Sequence, residues 1–169
     1  ISPEKVEEIM LDIPALVNVV GVFVNNTRDE IMDIQARCKL NSIQLHGQET
    51  PSDCSGYPVP VIKAIHVKES DDLGHIAHYK GLANGILLDT KVENVLGGSG
   101  QSFDWGLAIE AKEYDVPLIL SGGINQSNIS QAIKMVQPYA IDLCSGVEKE
   151  PGIKDYNKMQ GLIETVNKL

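Results

Sequence analysis

Hydrophobic positions along this chain follow two alternating rhythms. Short, nearly continuous apolar runs occupy residues 17–24 (VNVVGVFV), 42–46 (SIQLH), 59–67 (VPVIKAIHV), 85–88 (GILL), 116–120 (VPLIL) and 140–143 (AIDL). Runs of this length, rich in β-branched residues and bounded by Gly, Pro and Asn, predict strands of a buried parallel sheet. Between them the apolar residues are spaced for a helix. Ile31, Ile34 and Cys38 form one stripe, Ile129, Ala132, Ile133 and Val136 a second, and Met159, Leu162, Ile163 and Val166 a third. Start signals agree with these stripes. Ser2-Pro3-Glu4 opens a helix that runs to about residue 12, Thr27 and Glu30 form a capping box, and Ser70-Asp71 opens a helix ending near Tyr79. Residues 51–55 predict a short polar helix, and a helix is also expected over about 105–111.

The pattern amounts to about six strands alternating with about seven helices, the signature of a parallel sheet covered by helices. Two architectures fit: an open doubly wound sheet and most of a (β/α)8 barrel. Six strands suit the first. Polar residues at the end of nearly every strand suit the second, because barrel sites draw on all the strand ends. A full barrel needs eight strands and about 200 residues, so a barrel reading leaves this chain roughly two strands and a helix short. No linker or low-complexity tract divides residues 1–169, which read as one domain.

Composition narrows the function. The 169 residues are 43% hydrophobic, enough for a sizeable core, and no apolar run approaches the roughly 20 residues that span a bilayer. A net charge of −9 argues against nucleic acid and anionic membrane surfaces as partners. A phosphorylated ligand would therefore be held by local backbone dipoles rather than by the overall field. Cys38, Cys54 and Cys144 are odd in number and lack CxxC spacing, which points away from a disulfide framework or a zinc site and toward a reducing cytoplasm.

Candidate chemistry lies at the strand ends. The last two predicted strands run into Ser121-Gly122-Gly123 and Cys144-Ser145-Gly146. Glycine lets backbone N–H groups approach an anion, and barrel phosphate sites often form from the loops after the last two strands. Gly122, Gly123, Ser145 and Gly146 are thus candidate phosphate ligands; ordinary turn glycines are the plainer reading. Gly98 and Gly100, in the glycine-rich stretch 96–105, read either as part of a loop closing over substrate or as a flexible connection. Asp89 ends an apolar strand, where it serves either as a general acid or as a turn former. Gln44 and His46 alternate toward one strand end, and Asp142 sits alike on the last strand; each reads as a substrate contact or as a structural hydrogen-bonding residue. His66, His75 and His78 show no partner pattern and read as solvent-facing or strand-end residues, while Phe103 and Trp105 read as packing anchors.

VGVFVN (20–25), IQLHG (43–47), VIKAI (61–65), LLDT (87–90), GGSGQSFDW (97–105), LSGGIN (120–125) and IDLCSGVE (141–148), followed by PGIKD (151–155), resemble the phosphoribosylanthranilate isomerase family along the whole chain. The resemblance implies a small (β/α)8 barrel of tryptophan biosynthesis that carries out an Amadori rearrangement without metal or organic cofactor. It implies Asp89 as general acid, with a carboxyl raised toward neutrality by an apolar barrel mouth, and a small phosphorylated substrate. It also implies a cytoplasmic monomer or homodimer. The family pattern opens earlier, with a strand carrying Lys-Ile-Cys-Gly whose cysteine is the general base, then a helix and a second strand. An arginine just after that second strand helps hold the substrate carboxylate. Ile1-Ser2-Pro3 matches the point just after that second strand, so base and arginine have no counterpart here, and Cys144 does not match the base. Three readings stay open: an isomerase whose first segment lies outside these residues, a non-catalytic chain that binds a phosphorylated ligand or needs a complementing segment, and another phosphosugar barrel enzyme.

Overall fold

The structure, a computed structural model, describes residues 1–89 and 105–169. These residues fall into two compact units, residues 1–64 with 78–85 and residues 65–77 with 86–169.

In the first unit, α1 (Pro3–Met10) leads to β1 (Val20–Phe23), α2 (Arg28–Cys38) and β2 (Ser42–Leu45), and then into β3 (Val61–His66), along which the unit boundary falls. The start signals act as the sequence predicts. Ser2 Oγ accepts from Lys5 N at the head of α1, and Thr27 and Glu30 cap α2 reciprocally, the Thr27 N–H donating to Glu30 Oε2 at 2.8 Å. Ile31 and Cys38 of α2 are buried against Phe23, Leu40, Ile43, Leu45, Cys54 and Val61, with Ile34 packed beside them. Burial of this kind is the main favourable term in folding. The segment expected to form a polar helix is a 3-10 turn, Pro51–Cys54.

Strand β1 is shorter than its eight-residue apolar run because side chains take over its backbone donors. Asn41 Oδ1 accepts the Val19 N–H at 2.8 Å before the strand, and Asn26 Oδ1 accepts the Val24 N–H at 3.3 Å after it. Gly21 and Phe23 face Leu40, so close that a Cβ on Gly21 would collide with the Leu40 side chain. The opposite face leaves Val20, Val22 and Val24 exposed at 40%, 58% and 59%.

The second unit continues through a 3-10 turn (Ser70–His75), α3 (Ile76–Tyr79), β4 (Gly85–Asp89), α4 (Trp105–Ala111), β5 (Leu118–Leu120), α5 (Ile129–Val136) and β6 (Ala140–Ile141), the last residues of α3 and the first of β4 belonging to the first unit. It ends in a hairpin of β7 (Glu148–Glu150) and β8 (Ile153–Lys154), then α6 (Tyr156–Val166). The hairpin turns at Pro151-Gly152, with Gly152 at φ 81°, a dipeptide that favours turns and that the apolar pattern does not reveal. Trp105 is buried, as a packing anchor should be. The α6 stripe is only partly inside: Leu162 is buried, but Met159, Ile163 and Val166 are exposed. Ile163 and Val166 instead line an open apolar groove of about 390 Å³ with Ile129, Ile133, Ile141 and Leu143.

Every named pairing between β1 and β6 is parallel, with Val20 opposite Ser42, Ile43 opposite Val61, Ile86 opposite Leu118 and Ile119 opposite Ala140. Beside β3 and β4, Asn84 N donates to Val61 O in the first unit and Val67 N to Asp89 O in the second. Strand order is therefore the order of the sequence. A doubly wound sheet requires a point where that order reverses, and none occurs among these six strands. The barrel alternative is the one the topology supports. No helix among the described residues is long and apolar enough to cross a membrane.

Candidate active site

In the first unit the candidates sit at the C-terminal end of β2. Gln44 is buried, and its side-chain amide lies 2.9 Å from His46 Nδ1. With the amide nitrogen donating, Nδ1 is the acceptor of this hydrogen bond, which holds the ring against Gln44. The His46 N–H itself is tied to Phe23 O at 2.8 Å. Beneath this turn lies a network that apolar periodicity misses. Lys63 Nζ donates to Leu45 O, Gly47 O and Glu49 Oε2 at 3.2, 2.7 and 2.9 Å, and both charged side chains are buried. Burial pushes the Glu49 carboxyl upward, but the Asn25 N–H and the Lys63 ammonium outweigh it and hold the group below the usual carboxylate value. A signal was available, since a lysine inside the run VPVIKAIHV is out of place unless its charge is paired.

In the second unit Asp89 ends β4 after Ile86, Leu87 and Leu88, all essentially inaccessible, and is itself 9% exposed. His66, at the end of β3 as expected, has a partner the sequence did not reveal: its Nδ1 lies 3.4 Å from Asp89 Oδ2. Asp142 follows β6, where its N–H donates to Leu120 O at 2.9 Å and its Oδ2 accepts from Ser121 Oγ at 3.0 Å. Ser121 thereby links the two strand-end turns.

Those turns are in backbone contact. Gly122 and Gly123 adopt φ 87° and 65°, a region that favours glycine. A Cβ on Gly146 would run into the carbonyl of Ile124, so the second turn lies directly on the first. Asn128 fixes the first turn from the head of α5, its Nδ2 donating to Gly123 O at 3.0 Å and its Oδ1 accepting from Asn125 N at 2.9 Å. Ser145 is exposed at the start of a 3-10 turn (Ser145–Val147). Exposed Cys144 lies beside Lys154 and Glu148, whereas burial pushes the Cys54 thiol up to about 11. Gly98 and Gly100 lie outside the described residues.

Parallel strands in sequence order, with polar side chains at their C-terminal ends, define a (β/α)-barrel enzyme. Comparison with known proteins specifies which. Residues 1–165 match the family described as N-(5'phosphoribosyl)anthranilate (PRA) isomerase. The N-(5'-phosphoribosyl)anthranilate isomerase of Pseudomonas putida (strain W619) is 44% identical over 167 residues, 98% of this chain and 80% of that protein. The crystal structure of phosphoribosyl anthranilate isomerase from Thermotoga maritima superposes with a TM-score of 0.91 at 39% identity, covering all of this chain and 82% of that one. A crystal structure of a phosphoribosyl anthranilate isomerase in complex with reduced 1-(o-carboxyphenylamino)-1-deoxyribulose 5-phosphate gives a TM-score of 0.88 at 36% identity, over all of this chain and 81% of that one. The chain belongs to the phosphoribosylanthranilate isomerase family, the (β/α)8-barrel isomerases of tryptophan biosynthesis.

Proposed function

We propose that this protein converts N-(5'-phosphoribosyl)anthranilate into 1-(2-carboxyphenylamino)-1-deoxyribulose 5-phosphate, with Asp89 as general acid. The observation that carries the assignment is the placement of Asp89: a buried carboxyl at the C-terminal end of a parallel strand, in a chain that matches this family over residues 1–165. In the reaction, the Asp89 proton passes to the ribose ring oxygen as the C1–O bond breaks and the anthranilate nitrogen lone pair forms the C=N bond. A base then removes the C2 proton, and that electron pair forms C1=C2 while neutralising the iminium nitrogen. The enolamine takes a proton at C1 as its C2 hydroxyl becomes the ketone. The imine is the electron sink, so the steps call for no organic or metal cofactor.

The remaining residues bind and orient. Gln44 orients the His46 imidazole, which contacts an oxygen of the substrate. Ser121 fixes Asp142 as an acceptor for sugar hydroxyls. The turns at Gly122-Gly123 and Ser145-Gly146, pressed together in the backbone, supply N–H groups and the Ser145 hydroxyl to the phosphate. Gly98 and Gly100 belong to the same assignment from the motif that carries them. The ligand of this site is thus a small phosphorylated molecule. Asp89→Asn keeps the shape and removes the transferable proton. It is expected to lower kcat by about 10² to 10⁴ while substrate binding changes little. Full turnover by that variant would sink the assignment.

A further inference from the structure

We propose that Lys63 and Glu49 are positioning residues that hold the His46-bearing turn in its binding conformation, an inference resting on the substrate-contact reading of His46. The two carbonyls that flank His46 in sequence, those of Leu45 and Gly47, are both gripped by the Lys63 ammonium, at 3.2 and 2.7 Å. Its third proton goes to Glu49 Oε2 at 2.9 Å. All three donors are thus committed. Glu49 holds the same turn from the other side, accepting the Gly47 N–H at 2.9 Å and the Asn25 N–H at 2.8 Å. Gly47 is therefore fixed through both its N–H and its C=O.

Asn25 completes the clamp. It sits in the left-handed region at φ 57°, and its Oδ1 accepts from Gln48 N at 2.6 Å. It approaches Gly47 so closely that any Cβ there would strike the Asn25 amide. Tyr79 donates its hydroxyl to Glu49 O at 2.9 Å, anchoring the far end of the turn. A buried ion pair adds little stability over well-packed apolar residues of the same volume. What this pair supplies is a defined path for four consecutive residues, 46–49, and hence a fixed direction for the imidazole. Preorganisation of this kind lowers the ordering cost of binding.

The test is a double-mutant cycle with the protein turning over N-(5'-phosphoribosyl)anthranilate, using His46→Ala, Lys63→Met and the pair. His46→Ala is expected to raise KM about tenfold, the loss of one strong hydrogen bond. Lys63→Met is expected to raise KM by a comparable factor, and the double variant to be little worse than His46→Ala alone, because the clamp acts through His46. Multiplying effects in the double variant overturn the clamp while leaving His46 a substrate contact. An unchanged KM in His46→Ala overturns the reading beneath it. A measurement independent of turnover guards against misfolding: amide hydrogen exchange in the near-isosteric Glu49→Gln. Exchange is expected to quicken about tenfold or more at Gly47 and Gln48 beyond the acceleration that global destabilisation brings to Ile86–Leu88; uniform acceleration shows a purely structural role and overturns the proposal.

Discussion

Glu49 keeps its charge in surroundings that would ordinarily favour the neutral acid, because Asn25, Gly47 and Lys63 all donate to it. Its folded value lies below the unfolded one, about 4.3, so between the two the unfolded chain binds more protons. The stability it contributes is complete above that unfolded value and is lost as pH falls through the depressed folded one. Urea unfolding at pH 7 and pH 3.5 checks this. Glu49→Gln is expected to cost about 3 kcal/mol at pH 7 and to flatten the fall in stability on acidification; an unchanged slope would contradict the assignment. At this scale the sequence was uneven as a guide. Asp89, Gln44, His46 and Asp142 were visible because they end or alternate along apolar runs. The His66–Asp89 contact was not, since it depends on the register of two strands that no local pattern encodes.

Helix positions were legible because caps and stripes are local devices, and Ser2, Thr27 and Glu30 do what their types predict. Strand lengths were less so. The ends of β1 are set by Asn41 and Asn26 side chains, and β6 is cut to two residues where the chain turns out at Cys144, with φ −119° and ψ −85°. The paired glycine turns give the sharpest element-level expectation. Gly146→Ala places a methyl against the Ile124 carbonyl, and backbone there has nowhere to yield without moving the Gly122-Gly123 turn. The variant is expected to lose about 1–3 kcal/mol in thermal unfolding. Its affinity for inorganic phosphate, read by calorimetry, should fall together with stability. Retained phosphate affinity would separate the turn contact from ligand binding.

For the whole molecule, the choice between open sheet and barrel required the strand order, and composition carries no information about that. The exposed valines of β1 bear on solution behaviour. Among the described residues, Val20, Val22 and Val24 form an exposed apolar row on β1, the first strand in the sheet order, and such a row invites another chain. A protein of these 169 residues is expected to self-associate at micromolar concentration, and Val22→Lys with Val24→Lys to reduce that in analytical ultracentrifugation. Unchanged association would place the contact elsewhere. Sequential strand order has a further consequence, for synthesis. Each strand's partner is the next strand along the chain, so every new pairing closes a local loop onto sheet already made. Such a chain can add strands as they leave the ribosome, in the direction of translation, without waiting for a distant segment to arrive.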